Sequence, residues 1–177
     1  MSHKYKSLMT NFKFDEKNIK VQNLLKKLNS SFKMKLFLWA KLPMAAFSGM
    51  KVGKVTPHFA EVILPYRWRS QNPFRSIYFA AQCAAAELST GLLVLAAKEN
   101  APPISMLVIN FESTFSKKAN KTLTFRCEQG PEFIAAIEEA VNTGEGVIFT
   151  ATSQGILPSG EIASEMKLTW SFKLKKT

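Results

Sequence analysis

Histidine and cysteine are scarce in this chain, with two of each among 177 residues. Cys83 falls in an apolar stretch and Cys127 in an alternating one, and no further Cys or His stands at ligand spacing from either. Neither a metal site nor a disulfide framework is indicated, and a reducing compartment fits best. His3 and His58 have no partner at triad spacing, and neither Ser76 nor Ser89 sits among nucleophile-elbow glycines. Serine-hydrolase chemistry is therefore not expected. The eight glycines form neither a phosphate-binding loop nor a dinucleotide fingerprint, so no cofactor is expected. The first thirty residues lack an apolar run long enough for a signal h-region, and the run from Leu36 to Phe47 is interrupted by Lys41 and Pro43. A soluble cytoplasmic protein is the expectation.

Acidic residues are also few: thirteen against twenty-four Lys and Arg, for a net charge of +11. Such a balance by itself suggests nucleic acid, an anionic membrane or a phosphorylated ligand. Its distribution is uneven. Residues 1–41 hold ten Lys and two acids, whereas residues 42–177 hold fourteen basic and eleven acidic residues and are only mildly basic. The first 31 residues read as a basic N-terminal arm with a weak helical pattern at Ile19, Val21, Leu24, Leu25 and Leu28. A contact of residues 1–41 with membrane or nucleic acid is the remote reading. No nucleic-acid partner and no stable membrane insertion is expected.

What remains is enough for one domain, since 46% of the chain is hydrophobic. From Ser31 the run "FKMKLFLWAKLPMAAF" has helical spacing until Pro43 and predicts an amphipathic helix. A hairpin follows around Thr56-Pro57, then the polar loop "RSQNPFR" and a long helix over about 76–98, closed by "NAPP". "ISMLVINFESTF" and "KTLTFRCEQG" alternate as strands with a turn at "KKAN" between them. "PEFIAAIEEAVNTGE" is a helix with Pro131 in its first turn and Gly144 past its end. Two further strands around "PSGE" complete an α+β chain. The long helix is apolar all round, which places it inside, and its alanines allow a curved antiparallel sheet to wrap closely about it. That arrangement is the hotdog fold, over residues 32–177.

One carboxylate, Glu87, stands near the middle of this apolar helix. An unpaired buried charge costs several kcal/mol, so something must offset it. Either Glu87 faces a cleft and does chemistry, or it pairs with an arginine such as Arg67, Arg69 or Arg75, or with buried amides.

From about Phe32 to Lys173 the order of elements, and the segment Asn72 to Glu87 in particular, resembles the hotdog thioesterase superfamily. The likeness is to its phenylacetate-pathway type and to an uncharacterised hotdog group related to it. In that type an Asn or Gln precedes a His-Gly-Gly turn, with an acid fifteen positions beyond the Asn. Asn72 and Glu87 keep the interval; Tyr78, Phe79 and Ala80 stand where the His-Gly-Gly turn would be. The resemblance implies an acyl thioesterase acting on acyl-CoA or an acyl-carrier thioester. Glu87 would be general base or nucleophile, the Phe79 amide would polarise the carbonyl, and Asn72 would orient water or acyl group. Arg67, Arg69, Arg75, Tyr78 and Thr90 are the implied substrate contacts, with the arginines on phosphate. Thr90 lies one position before Gly91, where some members carry Thr. A homodimer, with a tetramer possible, is implied as well, and the rival reading is a noncatalytic module that binds an acyl chain or acyl-CoA.

Overall fold

The computed structural model describes residues 11–175. His3 and the first ten residues of the expected arm lie outside the described residues. In chain order the elements are α1 (Ile19–Leu28), α2 (Ser31–Lys41), α3 (Pro43–Phe47), β1 (Lys51–Val55), β2 (Ala60–Leu64) and α4 (Phe79–Lys98). Then come β3 (Ile104–Phe115), β4 (Leu123–Cys127), α5 (Gly130–Thr143), β5 (Val147–Ile156) and β6 (Ile162–Leu174). The six strands form one antiparallel sheet in the order β1-β2-β4-β5-β6-β3.

Helix α4 packs against β2, β4, β5 and β6, which places it inside the curve of the sheet. Ala85 and Ala86 are sealed there, together with Leu92 and Leu93, and the small side chains let strand and helix approach closely. Helix α5 lies beside α4 and against β5 and β6. Its Phe133 packs edge-on to Phe149, Trp170 and Phe172. As its sequence predicts, α5 ends where Gly144 turns left-handed at φ 74°.

Two details differ from the sequence reading. The long helix starts at Phe79 and not near residue 76, because the preceding segment is extended and paired. Ile77 donates its N–H to Ala119 O at 2.7 Å, and Tyr78 donates to Ser70 O at 2.7 Å. Strands β3 and β4, neighbours in sequence, do not pair. The segment with "KKAN" crosses from the β3 edge to the interior of the sheet, with Ala119 buried on the way, so it is a crossover and not a hairpin turn.

Within the arm, residues 12–29 lie on the body. The Asn142 side chain accepts from Phe12 N at 2.7 Å and donates to Phe12 O at 2.9 Å. Helix α1 buries Val21 and Leu28. Just past its end, the Asn29 amide completes the open edge of β1, accepting from Val55 N at 3.0 Å and donating to Val55 O at 2.8 Å. An edge strand is thereby closed by a side chain that imitates backbone.

Candidate active site

The chain leading into α4 is held by Asn72. Its Oδ1 accepts from Phe74 N at 3.0 Å, Ser76 N at 3.2 Å and Ser76 Oγ at 3.2 Å, the local bonding that Asn offers a turn. Arg75 takes a left-handed φ of 58° within that turn, a conformation that costs a non-glycine residue on the order of 1 kcal/mol. Asn72 thus spends its carbonyl on the loop. Of the roles the sequence assigned to it, only those using its amide N–H groups stay open.

Helix α4 begins without a side-chain cap, and its N-cap residue is Tyr78. Ser76 caps nothing here, since its N–H and hydroxyl both bond Asn72. The first carbonyl bonds are made by Ala81 N and Gln82 N to Tyr78 O, at 3.0 and 3.2 Å. The N–H groups of Phe79 and Ala80 have no partner among the described residues. Two donors and the positive end of a twenty-residue helix therefore face outward together. Phe79 borders a cleft of ≈ 370 Å³ whose lining also includes Asn72, Tyr78, Gln82, Phe115 and Lys118. The Phe79 ring reaches across to Phe115, with ring centres 6.4 Å apart.

Glu87 is not sealed in the interior. The sequence reading treats α4 as apolar all round, but Phe79, Cys83, Glu87, Gly91 and Leu95 recur every fourth residue and stay partly or wholly open to solvent in the single chain. Glu87 sits at the midpoint of that stripe. None of the ion pairs among the described residues includes it, and Arg67, Arg69 and Arg75 are all exposed and do not pair with it. Arg69 instead lies over the Phe47 ring, 5.8 Å from its centre. The structural pairing with an arginine is therefore not what the chain adopts.

A Cβ built on Gly91 would stand 3.6 Å from Glu87 Oε1 and 3.9 Å from Trp170 Cη2, ordinary contact distances that put Gly91 within reach of both the carboxyl and the indole edge. Partial burial removes some of the water that would solvate the anion, and this desolvation raises the Glu87 pKa above the ordinary carboxylate value. Thr90 is enclosed, and its hydroxyl donates to Glu87 O at 2.9 Å and accepts from Trp170 Nε1 at 3.3 Å, so in the single chain it ties helix to strand and is not open to solvent.

The fold therefore brings Asn72, Tyr78 and Phe79 to one cleft and leaves Glu87 further along the same helix. Eight residues at a rise of about 1.5 Å separate Phe79 from Glu87 by about 12 Å. Sequence reasoning missed Trp170, Phe115 and Lys118, which arrive from distant strands and loops. Gly91 was legible, being four residues beyond Glu87 and so on its face of the helix. The buried Cys127 thiol, pushed up to about 11 by burial, is a packing group and no nucleophile. Among the described residues no group of three or more His, Cys, Asp or Glu is placed to hold a metal ion.

A curved antiparallel sheet around a central helix that starts at an open loop defines the hotdog class of proteins. Within it, the chain belongs to the family described as a domain of unknown function (DUF4442), whose profile matches residues 32–155. No curated protein matches. Among solved structures, one of a Pseudomonas aeruginosa protein of unknown function superposes with a TM-score of 0.67 at 18% identity, covering 83% of this chain and 98% of that one. A Haemophilus influenzae thioesterase gives 0.62 at 15% identity, with 86% and 97% covered. A thioesterase family protein from Silicibacter pomeroyi gives 0.55 at 17%, with 82% and 100% covered. At such identities the likeness is one of fold.

Proposed function

We propose that the protein hydrolyses an acyl thioester, with coenzyme A as the carrier, at a site completed by two copies of the chain. The observation that carries this reading is Glu87: an acid without a partner, raised in pKa, on the open side of the central helix. Glu87 and the free Phe79 N–H lie about 12 Å apart along the axis, too far for one carbonyl to touch both. Two α4 helices packed antiparallel across a twofold axis bring Glu87 of one beside the N-terminus of the other. Strand β3 supports such pairing. It is a twelve-residue edge with Leu107, Ile109 and Phe111 exposed, and it borders the Glu87 stripe through Trp170, which pairs with Val108.

In this site the thioester oxygen accepts from the Phe79 N–H, where the helix end favours developing negative charge. The Glu87 carboxylate either takes a proton from water as the oxygen attacks the carbonyl carbon, or attacks that carbon itself to form an anhydride that water then opens. In both routes the C–S bond breaks, the sulfur leaves as thiol after gaining a proton, and a carboxylic acid is released. Lys118, which lines the cleft, and Arg75, exposed on the loop that Asn72 holds, are cations available to coenzyme A phosphates. The two unpaired cysteines support a cytoplasmic setting for the reaction.

The noncatalytic reading draws on one observation, the aromatic bridge between Phe79 and Phe115, which places two rings across the cleft beside the helix start. A panel of acyl-CoA substrates with thiol detection separates the two. Release of thiol by the wild type and its loss in Glu87→Gln supports hydrolysis. Absence of release together with a rise in melting temperature on adding acyl-CoA establishes the binding module.

A further inference from the structure

We propose that the outward face of α2 and α3 docks on an anionic lipid bilayer. Helix α2 turns Met34 and Leu38 into the core. Its opposite side carries a second apolar stripe at i, i+4 and i+7: Phe32, Leu36 and Trp39, which are 71%, 55% and 51% exposed. The stripe continues on α3, where Ala45 and Ala46 point inward while Met44 and Phe47 stay 64% and 52% exposed. Contiguous apolar surface of this kind marks an interaction site on a water-soluble chain.

Charge decides the occupant. Lys33 and Lys35 fall on either side of the Phe32-Leu36-Trp39 stripe, Lys41 closes the helix, and the Arg69 guanidinium lies over the Phe47 ring. From Lys17 to Ala60 the chain holds nine lysines and no acidic residue. None of Lys33, Lys35 and Lys41 is in an ion pair among the described residues. A twofold contact between copies through this face would lay lysine on lysine, which opposes association. The face also lies on two short helices whose outer residues are exposed. A bilayer meets both requirements: Trp and Phe settle at headgroup level, and lysine stems lie along apolar surface while their ammonium groups meet lipid phosphates. Eleven residues of helix extend about 16 Å, so the contact lies along the surface and does not span it. The inference is independent of the proposed reaction, since it rests on α2 and α3 and its test needs no substrate.

The test is sedimentation of the full chain with vesicles of phosphatidylcholine alone and of phosphatidylcholine mixed with phosphatidylglycerol. The chain should pellet with the anionic vesicles, remain largely free with the neutral ones, and be released as salt is raised. Two exposed-site variants, Phe32→Ala with Trp39→Ala and Lys33→Gln with Lys35→Gln, should each weaken partitioning by about tenfold or more while melting temperature stays unchanged. Equal retention of wild type and both variants overturns the proposal, as does failure to bind anionic vesicles. A change in oligomeric state in the aromatic variant would instead assign the face to a second copy, and release from vesicles by duplex DNA at fixed salt would assign it to nucleic acid. Either result overturns the lipid assignment.

Discussion

Trp170 Nε1 donates to Thr90 Oγ1 at 3.3 Å, and this bond ties the last strand of the sheet to the central helix at the level of Glu87. The indole edge is thereby fixed within reach of Gly91, on the face of the helix that carries Glu87. Trp170→Phe should remove the bond and leave a gap, lowering stability by about 1–3 kcal/mol in urea denaturation. The same variant should let water back to Glu87 and bring its pKa down toward the ordinary carboxylate value, measurable by carboxyl NMR titration.

The pH dependence follows from the direction of the Glu87 shift. Because the folded pKa is raised by desolvation, the native state binds the proton more tightly than the unfolded chain does. Stability from this group therefore falls as pH climbs from the ordinary carboxylate value through the raised one, and is level above it. Glu87→Gln lacks that fall. The melting temperature of the variant relative to wild type should rise across this window, whereas hydrolysis by the wild type should increase through it as the carboxylate forms. A difference in melting temperature that is flat with pH would refute the assignment.

Ser89 and Ser153 share a hydrogen bond of 2.8 Å between α4 and β5, and both are fully enclosed. Replacing Ser153 by Ala leaves the Ser89 hydroxyl with Ala86 O at 2.8 Å, whereas Ser89→Ala leaves the Ser153 hydroxyl with no partner. Ser89→Ala should accordingly cost more, about 1–3 kcal/mol, and the double variant less than the sum of the single ones. A double-mutant cycle by chemical denaturation reads this directly.

Asn29→Ala should open the β1 edge. It removes both bonds to Val55, and hydrogen exchange at the Val55 amide should accelerate well beyond that of Val62 on the adjacent strand, with a loss of about 1–2 kcal/mol in global stability. Unchanged exchange at Val55 would show that the edge is protected by something else.

Gly91→Ala tests the space beside the acid. A Cβ there makes only ordinary contact with Glu87 Oε1, and alanine favours a helix interior by about 1 kcal/mol. The variant should therefore melt higher, while the Glu87 pKa rises further because one more methyl group displaces water. A lower melting temperature would contradict the contact distance.

The hairpins at Thr56-Pro57 and Pro158-Ser159-Gly160, the Pro131 start and Gly144 stop of α5, and the end of α4 at Lys98 were legible because each depends on neighbours along the chain. Alternation and helical period report which face of an element is apolar. They do not report which element covers it. Thus the sequence put Glu87 on the right helix and enclosed it, yet the sheet closes around α4 on one side only and leaves the stripe from Phe79 to Leu95 open. The same gap hid Trp170, a strand residue whose importance comes from a bond to a helix eighty positions earlier.

By itself, then, the order of residues determined a curled antiparallel sheet with an alanine-rich helix in it, since small side chains, alternating strands and punctuating turns act over short range. Tertiary structure alone decided that β3 goes to the edge, that Asn72 is committed to its own loop, and that the acid stands on the open face of α4 with no ion pair among the described residues. Those outcomes turn on which distant groups fill the space around each side chain, and desolvation is set by that filling.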